Sequence, residues 1–296
     1  MTKDSLIIVP CHSVWNVLHS GQEPNYGQNP DQWFLAPFQH EGQDHLLFIM
    51  HSLLAIEQLS KNISNSILLF SGSQTKRGAG IMSEAQSYYL QIYKLLNAID
   101  NDLALPDSLR SEEIIITHCR RIISNLSTQN VSLKELFENH ISTEEFALDS
   151  FENLIYSIGR FYELVKRYPS FIKIVGFGFK RTRFLNCHAP AIDFPEQNIE
   201  YIPMDPIPNF TDCTRLDDYY DDLYLQEKKN ALDLFQVDWY GTKESLYKKK
   251  VQRNPFKRYH QYPLPVSFQG PIENDQEFFE TYVKGKMPWS RAKHEL

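Results

Sequence analysis

The chain has 296 residues, of which 42% are hydrophobic and 23% are charged, and its formal net charge is −7. This composition is typical of a globular protein and excludes a disordered one. A net acidic chain lacks the overall positive field on which non-specific nucleic-acid binding depends, so we do not expect a nucleic-acid partner. Any site for an anion must therefore be a local cluster of basic residues.

The cysteines and the apolar runs narrow the class of protein further. Cys11, Cys119, Cys187 and Cys213 form no C-x-x-C pair, so we expect reduced thiols and no metal site. Every apolar run is shorter than the roughly 18 residues of a transmembrane helix, and the one near the amino terminus is too short for a signal peptide. These features predict a soluble cytoplasmic protein with no membrane partner, with the nucleus as an open alternative.

The first hundred residues alternate predicted strands with predicted helices. Continuous apolar runs at 5–9 and 67–70 indicate strands that are buried on both faces of a parallel sheet. Apolar residues at helical spacing over 44–60 predict a helix between them. A second helix is predicted from about Ser83 to Asn97, because Ser83 and Gln86 fit a capping box at its start.

The middle of the chain is less regular. Residues 113–117 predict either a third strand or the start of a helix, and the pattern alone does not separate the two. The polar stretch 124–143 is expected to be rich in loops. A helix then follows Asp149 and Glu152, which fit a second capping box, and it ends before Pro169.

Segments 171–177 and 199–203 predict the last two strands, with a short helix near 182–189 between them. The alternation predicts an α/β fold, with a Rossmann-like, doubly wound, mainly parallel sheet and helices on both faces. We assign this core to residues 1–205. Residues 206–296 become richer in proline and aromatic residues, and we expect a helical or irregular C-terminal extension that packs on the core.

The loop SGSQTKRGAG at 71–80 is the first candidate ligand site. Ligands of doubly wound sheets bind outside the carboxyl ends of the strands. This loop joins a predicted strand to a helix amino terminus, an arrangement that presents N–H groups and a positive dipole to an anion. It is not a Walker A loop, because no Lys-Ser/Thr pair follows its glycines. A plain mobile turn is the alternative interpretation.

A basic cluster at a second strand end is the next candidate. Lys180, Arg181 and Arg183 follow the strand 171–177 and open a helix. Arginine side chains bind phosphate or carboxylate groups through two parallel N–H donors, so the cluster could bind an anion. A solvated basic turn is the alternative interpretation. The pair Gly176-x-Gly178 is by itself a weak dinucleotide signal.

Three further features complete the candidates. Glu145 and Asn153 lie near the next junction and are not explained by helix capping, so a carboxylate there could hold a hydroxyl or orient a water. Cys11 and His12 end the first strand, where a nucleophile and a base could act, but a structural thiol is the simpler interpretation. The basic run 248–258 resembles a nucleic-acid patch, although basic residues at a helix end explain it more simply.

With these junctions in place, the chain resembles the YdcF/SanA-like family, a domain of unknown function, over about residues 5–205. The opening strand and its polar loop, Val9 to Asn16, lie where the family has its first ligand loop. The other matching motifs follow the family's order: Ser71-Gly72-Ser73, Ser83-Glu84-Ala85, Glu145, Ser150-Phe151-Glu152-Asn153 and Phe179-Lys180-Arg181-Thr182-Arg183-Phe184. Two departures are Ser73 in place of the usual second glycine, and the absence of the histidine often seen before the late arginine. The carboxyl extension is similar to that of a eukaryotic branch.

The resemblance implies a Rossmann-like core with a polar pocket at the switch point of the sheet. We predict that the pocket binds a small anionic ligand, phosphorylated or nucleotide-like, with a nucleotide-like cofactor as one possibility and no metal. Glu84 and Glu145 are the acid–base candidates. The predicted ligand-binding residues are His12, Ser13, Asn16, Ser71, Gly72, Ser73, Ser83, Asn153, Lys180, Arg181 and Arg183.

Whether a reaction follows binding stays open at this point. One hypothesis is an enzyme acting on the anionic ligand, which the gathering of ionisable residues at strand ends favours. The alternative is a non-catalytic ligand-sensing or protein-interaction module that uses the same pocket, with the extension serving a protein partner. The lack of a recognisable nucleophile–base set favours this alternative.

Overall fold

The fold, a computed structural model that describes residues 3–210 and 212–290, is built on one all-parallel sheet of five strands. The strand order is β3-β2-β1-β4-β5, so the chain winds outward in both directions from β1. The predicted doubly wound parallel sheet is confirmed. Its strands are β1 (Ser5–Pro10), β2 (Ser66–Ser71), β3 (Ile141–Glu144), β4 (Phe171–Gly176) and β5 (Ile199–Pro203).

Helices cover both faces of the sheet because β1 is apolar on both sides. Ile7 and Val9 belong to one hydrophobic cluster, and Leu6 and Ile8 belong to another. The first cluster packs under α1 (Asp44–Ser60), α2 (Glu84–Asp100), α3 (Asp107–Arg110), α4 (Glu113–Thr128) and α5 (Leu133–Asn139). The second packs under α6 (Ser150–Val165), α7 (Arg181–Arg183) and α8 (Ala189–Ala191), with a π-helical turn at Phe184–His188 between the last two.

Two ambiguous segments of the sequence are resolved by the structure. Residues 113–117 begin α4 rather than a strand, because the buried side chains recur at helical spacing, at Ile115, Cys119, Ile122 and Leu126. The expectation that 124–143 is rich in loops was wrong. This stretch contains the end of α4, the helix α5 and most of β3.

The third strand, β3, escaped sequence analysis for a physical reason. It has four residues, lies at the sheet edge, and buries Ile141 and Glu144 while Ser142 and Thr143 stay partly exposed. Such a short, polar edge strand lacks the continuous apolar run that marks the central strands of a parallel sheet.

The extension contains α9 (Cys213–Glu227), α10 (Asp233–Val237), α11 (Glu244–Gln252) and α12 (Asp275–Phe278), with irregular segments between them. Phe235, Tyr240, Phe268 and Trp289 are buried and belong to the second hydrophobic cluster. These aromatic side chains therefore complete the core on that face of the sheet. Across the described ranges, no helix combines the length and apolarity needed to cross a membrane.

Candidate functional site

The carboxyl edge of the sheet gathers ionisable side chains between β1 and β4. Lys180 follows β4, and its Nζ atom lies 3.2 Å from Nδ1 of His12, which follows β1. His12 packs against Phe177 with ring centroids 4.8 Å apart, and its Nε2 atom is buried without a hydrogen-bond partner among the described residues. This contact lies where the strand order reverses, which is the position at which doubly wound sheets bind ligands.

The electrostatics of this contact favour a neutral histidine. Burial lowers the pKa of His12 well below its ordinary value, and the neighbouring charge of Lys180 lowers it further. The ring can then accept a hydrogen bond at Nδ1 from the ammonium group. Burial also lowers the pKa of Lys180, to about 7, so both forms of the amine are populated at neutral pH.

Two helices bring carboxyl groups to the same edge. Asp44 is the first residue of α1 and Glu84 is the first residue of α2, and both are buried. Burial raises the pKa of each to about 7, although the charge of Lys180 favours the ionised form of both. We call His12, Asp44, Glu84 and Lys180 the strand-end cluster. Three of its four members change charge near neutral pH, which is a common property of functional sites.

The loop after β2 is shaped around Glu84. Thr75 donates a hydrogen bond from its hydroxyl to Oε1 of Glu84. A side chain at Gly72 would bring its Cβ atom to 2.7 Å from Oε2 of Glu84, so glycine is required for the carboxyl group to approach the loop. The N–H groups of Gly72 and Ser73 donate to the carbonyls of Glu144 and Ala147. These two N–H groups therefore stabilise the loop and are not free to donate to a ligand.

A second polar network lies behind the loop and is buried. Ser71 donates its hydroxyl to Oε2 of Glu144 at 2.6 Å, and Asn153 donates to the hydroxyl of Ser71 at 2.9 Å and to its carbonyl at 3.0 Å. The other oxygen of Glu144 accepts from the N–H groups of Phe146 and Ala147 and from the hydroxyl of Tyr262. This network joins β2, β3, α6 and the extension, and its buried groups are satisfied by one another.

The basic cluster after β4 divides into three environments. Lys180 faces the strand-end cluster, whereas Arg181 is exposed on the surface. Arg183 is buried and pairs with Glu227 of α9, with 3.3 Å between Nε and Oε1. Of the three predicted basic ligands, Lys180 is the one that the fold directs into the cluster and leaves without an ion pair among the described residues.

The remaining predicted site residues have local contacts. Ser13 donates to the carbonyl of Phe34, Ser83 caps α2, and the backbone of Asn16 contacts Gln32 and Asn25. The side chain of Ser73, inside the loop that follows β2, is buried. Glu145 accepts from the hydroxyl of Thr143 and is partly exposed, whereas its neighbour Glu144 belongs to the buried network. Glu144 is the last residue of β3, whereas Glu145 begins the loop that follows it, so the two side chains have different environments.

The extension adds a cation to this edge. Arg253 ends α11, is exposed, and donates from Nη1 to the carbonyl of Leu148 at 3.0 Å, in the loop between β3 and α6. Burial is the main cause of the pKa shifts of His12, Glu84 and Lys180, and the charge of Arg253 is a smaller influence on all three. Within 3–210 and 212–290, no carboxylate forms a salt bridge with it.

A buried ion pair fixes α11 on the core close to Arg253. Nζ of Lys250 lies 2.9 Å from Glu152 and 3.2 Å from Asp149 at the start of α6, and it donates to the carbonyl of Tyr240. Burial alone lowers the pKa of Lys250, but the two carboxylates outweigh it and raise the pKa above its ordinary value. The lysine therefore stays charged and anchors the extension at this edge.

Two surface pockets lie away from the strand-end cluster. One, of about 600 Å³, is lined by Cys187, Phe235 and Trp239 among others. The other, of about 1000 Å³, lies between α2 and α4 and includes Leu103 and Arg120. Neither pocket is lined by a residue of the strand-end cluster. The candidate site is therefore identified by its ionisable side chains and not by a surface pocket.

Sequence analysis missed Asp44, Thr75 and Arg253. Asp44 had a signal, because it is an acidic residue immediately before the apolar run of α1. Thr75 lies inside a loop that was recognised as a candidate. Arg253 lies inside the basic run 248–258, but its place at the sheet edge follows from the packing of the extension and not from a local pattern.

The arrangement can hold an anion next to a proton-transfer group. Lys180 and Arg253 supply positive charge, and Glu84, with its raised pKa, can carry a proton near neutral pH. Burial raises the pKa of the Cys11 thiol well above its ordinary value, which disfavours a thiolate nucleophile. Over the described ranges, no three His, Cys, Asp or Glu residues are grouped to hold a metal ion.

A protein of Saccharomyces cerevisiae (strain ATCC 204508 / S288c), described as "Uncharacterized protein YOR238W", is similar to this chain over nearly its whole length. The two are 48% identical over 300 residues, which cover 97% of this chain and 98% of the yeast protein. No protein-family model matches the chain. No solved structure matches it. The similarity includes both the α/β core and most of the extension.

Proposed function

The chain belongs to the family of the Saccharomyces cerevisiae protein YOR238W, and we propose that it binds a small phosphorylated or nucleotide-like anion through Lys180. The observation that carries this proposal is a half-buried cation at the switch point of the sheet. Nζ of Lys180 contacts the neutral ring of His12, and no carboxylate within the described residues forms a salt bridge with it. Partial burial of an ammonium group costs solvation free energy, and a bound anion compensates that cost.

The surroundings of Lys180 support an anion rather than a cation as the ligand. Burial has the largest influence on the pKa of Lys180; Arg183 and Arg253 also lower this pKa as like charges, whereas Glu227 and Asp44 raise it as opposite charges. The carboxyl groups of Asp44 and Glu84 are half neutral near pH 7 because burial raises their pKa values to about 7. These two carboxyl groups therefore carry less negative charge at pH 7 than two fully ionised carboxylates would. A bound phosphate would supply negative charge that balances the cations at this edge.

Glu84 is the acid–base group of this proposal. It is held by the hydroxyl of Thr75 and lies against Gly72, so its carboxyl group has a fixed position beside the loop. A carboxyl group with a pKa near the working pH transfers protons efficiently. Glu145 contacts Thr143 and has no resolved contact with the strand-end cluster, so it is the weaker candidate.

We also retain the YdcF/SanA-like resemblance as a proposal. Its motifs include residues of the strand-end cluster, Glu84 and Lys180, and residues of the buried network, Ser71 and Asn153. The convergence of short motifs from four junctions on one edge of the sheet supports a common binding site. The predicted partner stays a small anionic molecule in the cytoplasm.

The test is a thermal-shift and calorimetric screen of the full chain against inorganic phosphate, sulfate, nucleotides and sugar phosphates. A bound ligand at about 100 times its dissociation constant stabilises the protein by about 2.7 kcal/mol. We expect Lys180→Met to abolish the shift, whereas Lys61→Met, which removes an exposed lysine at the end of α1, should retain it. Absence of a shift with every anion, or an equal shift in Lys180→Met, contradicts the proposal.

Product analysis then separates an enzyme from a non-catalytic module. The ligand that gives the largest shift is incubated with the wild-type protein and with Glu84→Gln, and the mixture is analysed for conversion. Conversion by the wild type that the variant loses supports an acid–base role of Glu84. A ligand that binds both proteins and stays unchanged supports a ligand-sensing module.

A further inference from the structure

We infer that the C-terminal extension completes the binding site, with Arg253 holding the second phosphate of a diphosphate-bearing ligand whose first phosphate is bound by Lys180. This inference rests on the proposed function of Lys180 and adds the substrate class and the residue that selects it. It also gives the extension a direct part in binding.

The first support is the position of Arg253. It lies at the end of α11 and reaches across to the loop between β3 and α6, where Nη1 donates to the carbonyl of Leu148 at 3.0 Å. That loop belongs to the carboxyl edge of the sheet, the same edge that carries Lys180. The guanidinium group is anchored by one nitrogen, and its other N–H groups have no resolved partner among the described residues.

The second support is that the two cations lie at the same edge of the sheet. Arg253 donates to Leu148, whose neighbour Ala147 accepts from the N–H group of Ser73, and the carbonyl of Ser73 accepts from the N–H group of Glu84, so Arg253 lies beside the loop that carries Glu84. Two positive groups at the same edge of the sheet repel each other, and an anion bound between them removes that repulsion. A ligand with two linked anionic groups can satisfy both, and a single phosphate can satisfy one of them.

The third support is the buried ion pair that holds the end of α11, next to Arg253, on the core. Lys250, three residues before it, is buried between Glu152 and Asp149 and also donates to the carbonyl of Tyr240. This interaction fixes the last turn of α11 on the start of α6, so the backbone from which Arg253 extends is held at this edge. Arginine is suited to such a role because its planar fork binds phosphate oxygens in two-point geometry.

The experiment uses inorganic pyrophosphate, inorganic phosphate and malonate as probes, titrated calorimetrically into the full-length protein at pH 7. The variants are Arg253→Met and Arg253→Lys, with Arg167→Met as a matched control. Arg167 is an exposed arginine between α6 and β4, at the opposite edge of the sheet. Unfolding temperatures without ligand establish that each variant is folded.

We expect the wild-type protein to bind pyrophosphate at least about tenfold more tightly than phosphate, since a charge-assisted contact contributes about 1.5–3 kcal/mol. Arg253→Met should lose this preference and keep its affinity for phosphate, Arg253→Lys should retain part of it, and Arg167→Met should resemble the wild type. Malonate binding as tight as that of pyrophosphate would overturn the assignment to a diphosphate.

The possible failures are distinguishable. If phosphate binds and Lys180→Met abolishes that binding, but Arg253→Met keeps the full preference for pyrophosphate, the inference about the extension is wrong and the proposed function stands. If the wild-type protein binds none of the probes, both the proposed function and the inference are wrong.

Discussion

Nζ of Lys180 lies 3.2 Å from Nδ1 of His12, and this contact joins the loops that follow β4 and β1 at the switch point of the sheet. It brings together two residues that are 168 positions apart in the chain. Burial lowers the pKa of both groups, so the ring is neutral at pH 7, whereas the amine of Lys180, with a pKa of about 7, is present in both forms. The charge state of this edge therefore depends on pH in a way that can be measured.

The stability of the wild-type protein relative to Lys180→Met should increase with pH. Burial lowers the pKa of Lys180 from 10.5 to about 7, so between these values the unfolded chain binds more protons than the folded chain. Stability then rises with pH over this window. We expect a relative gain of about 2–4 kcal/mol between pH 7 and pH 10, less than the full shift because the side chain keeps some exposure. Urea unfolding at several pH values measures it, and parallel curves for the two proteins would contradict it.

Sulfate binding should weaken as the pH rises through neutrality. Sulfate keeps its charge over this range, whereas Lys180 loses its proton above its pKa of about 7. Asp44 and Glu84, with pKa values raised to about 7, become negative over the same window and repel the anion. The affinity should fall by roughly tenfold per pH unit above pH 7. Calorimetric titrations from pH 6 to pH 9 test this, and a pH-independent affinity would contradict it.

Glu84→Gln should stabilise the protein at alkaline pH and leave it nearly unchanged in mild acid. Burial raises the pKa of Glu84 from 4.5 to about 7, so between these values the folded chain binds more protons than the unfolded chain. The carboxyl group therefore costs stability as the pH rises through this window. Glutamine keeps an oxygen that accepts from Thr75 and should gain roughly 1–3 kcal/mol at pH 8. A loss of stability at pH 8 would contradict the assigned environment.

The strands at the centre of the sheet could be predicted from the sequence because their burial leaves a direct pattern. Residues in β1 and β2 are buried along their whole length, so each strand is a continuous apolar run. The start of helix α2 could also be predicted from the sequence, since Ser83 and Gln86 form the expected capping box. Once the strand ends were known, the switch-point rule directed attention to His12 and Lys180.

The rest of the site depends on contacts that no local pattern encodes. The pairing of Arg183 with Glu227 joins the β4 junction to a helix of the extension, so the sequence alone could not separate Arg183 from Lys180. Arg253 reaches Leu148 across 105 positions of the chain. The short edge strand β3 determines whether Glu144 or Glu145 faces the buried network, and that strand was not predicted.

Lys250→Met should destabilise the protein strongly. The ammonium group of Lys250 lies within 3.2 Å of both Asp149 and Glu152, which are nearly inaccessible to solvent. Removing it leaves two buried carboxylates without a counter-ion, which typically costs about 3–5 kcal/mol. Lys248→Met removes an exposed charge from the same helix and should change the free energy of unfolding by less than about 0.5 kcal/mol. Urea unfolding compares the two, and equal effects would contradict the anchoring role of Lys250.

Gly72→Ala should destabilise the protein and disturb Glu84, because the added Cβ atom would lie 2.7 Å from Oε2 and 3.0 Å from Cβ of Glu84. Contacts this short force the helix start or the loop to move, which typically costs about 1–3 kcal/mol. Gly78→Ala, in the same loop, is the matched control, since its Cβ atom would lie 3.5 Å from Phe34, an ordinary contact. We expect the control to be neutral or slightly stabilising, because alanine restricts the unfolded chain. The free energy of unfolding of both variants tests this, and a neutral Gly72→Ala would mean that Glu84 does not approach the loop as described.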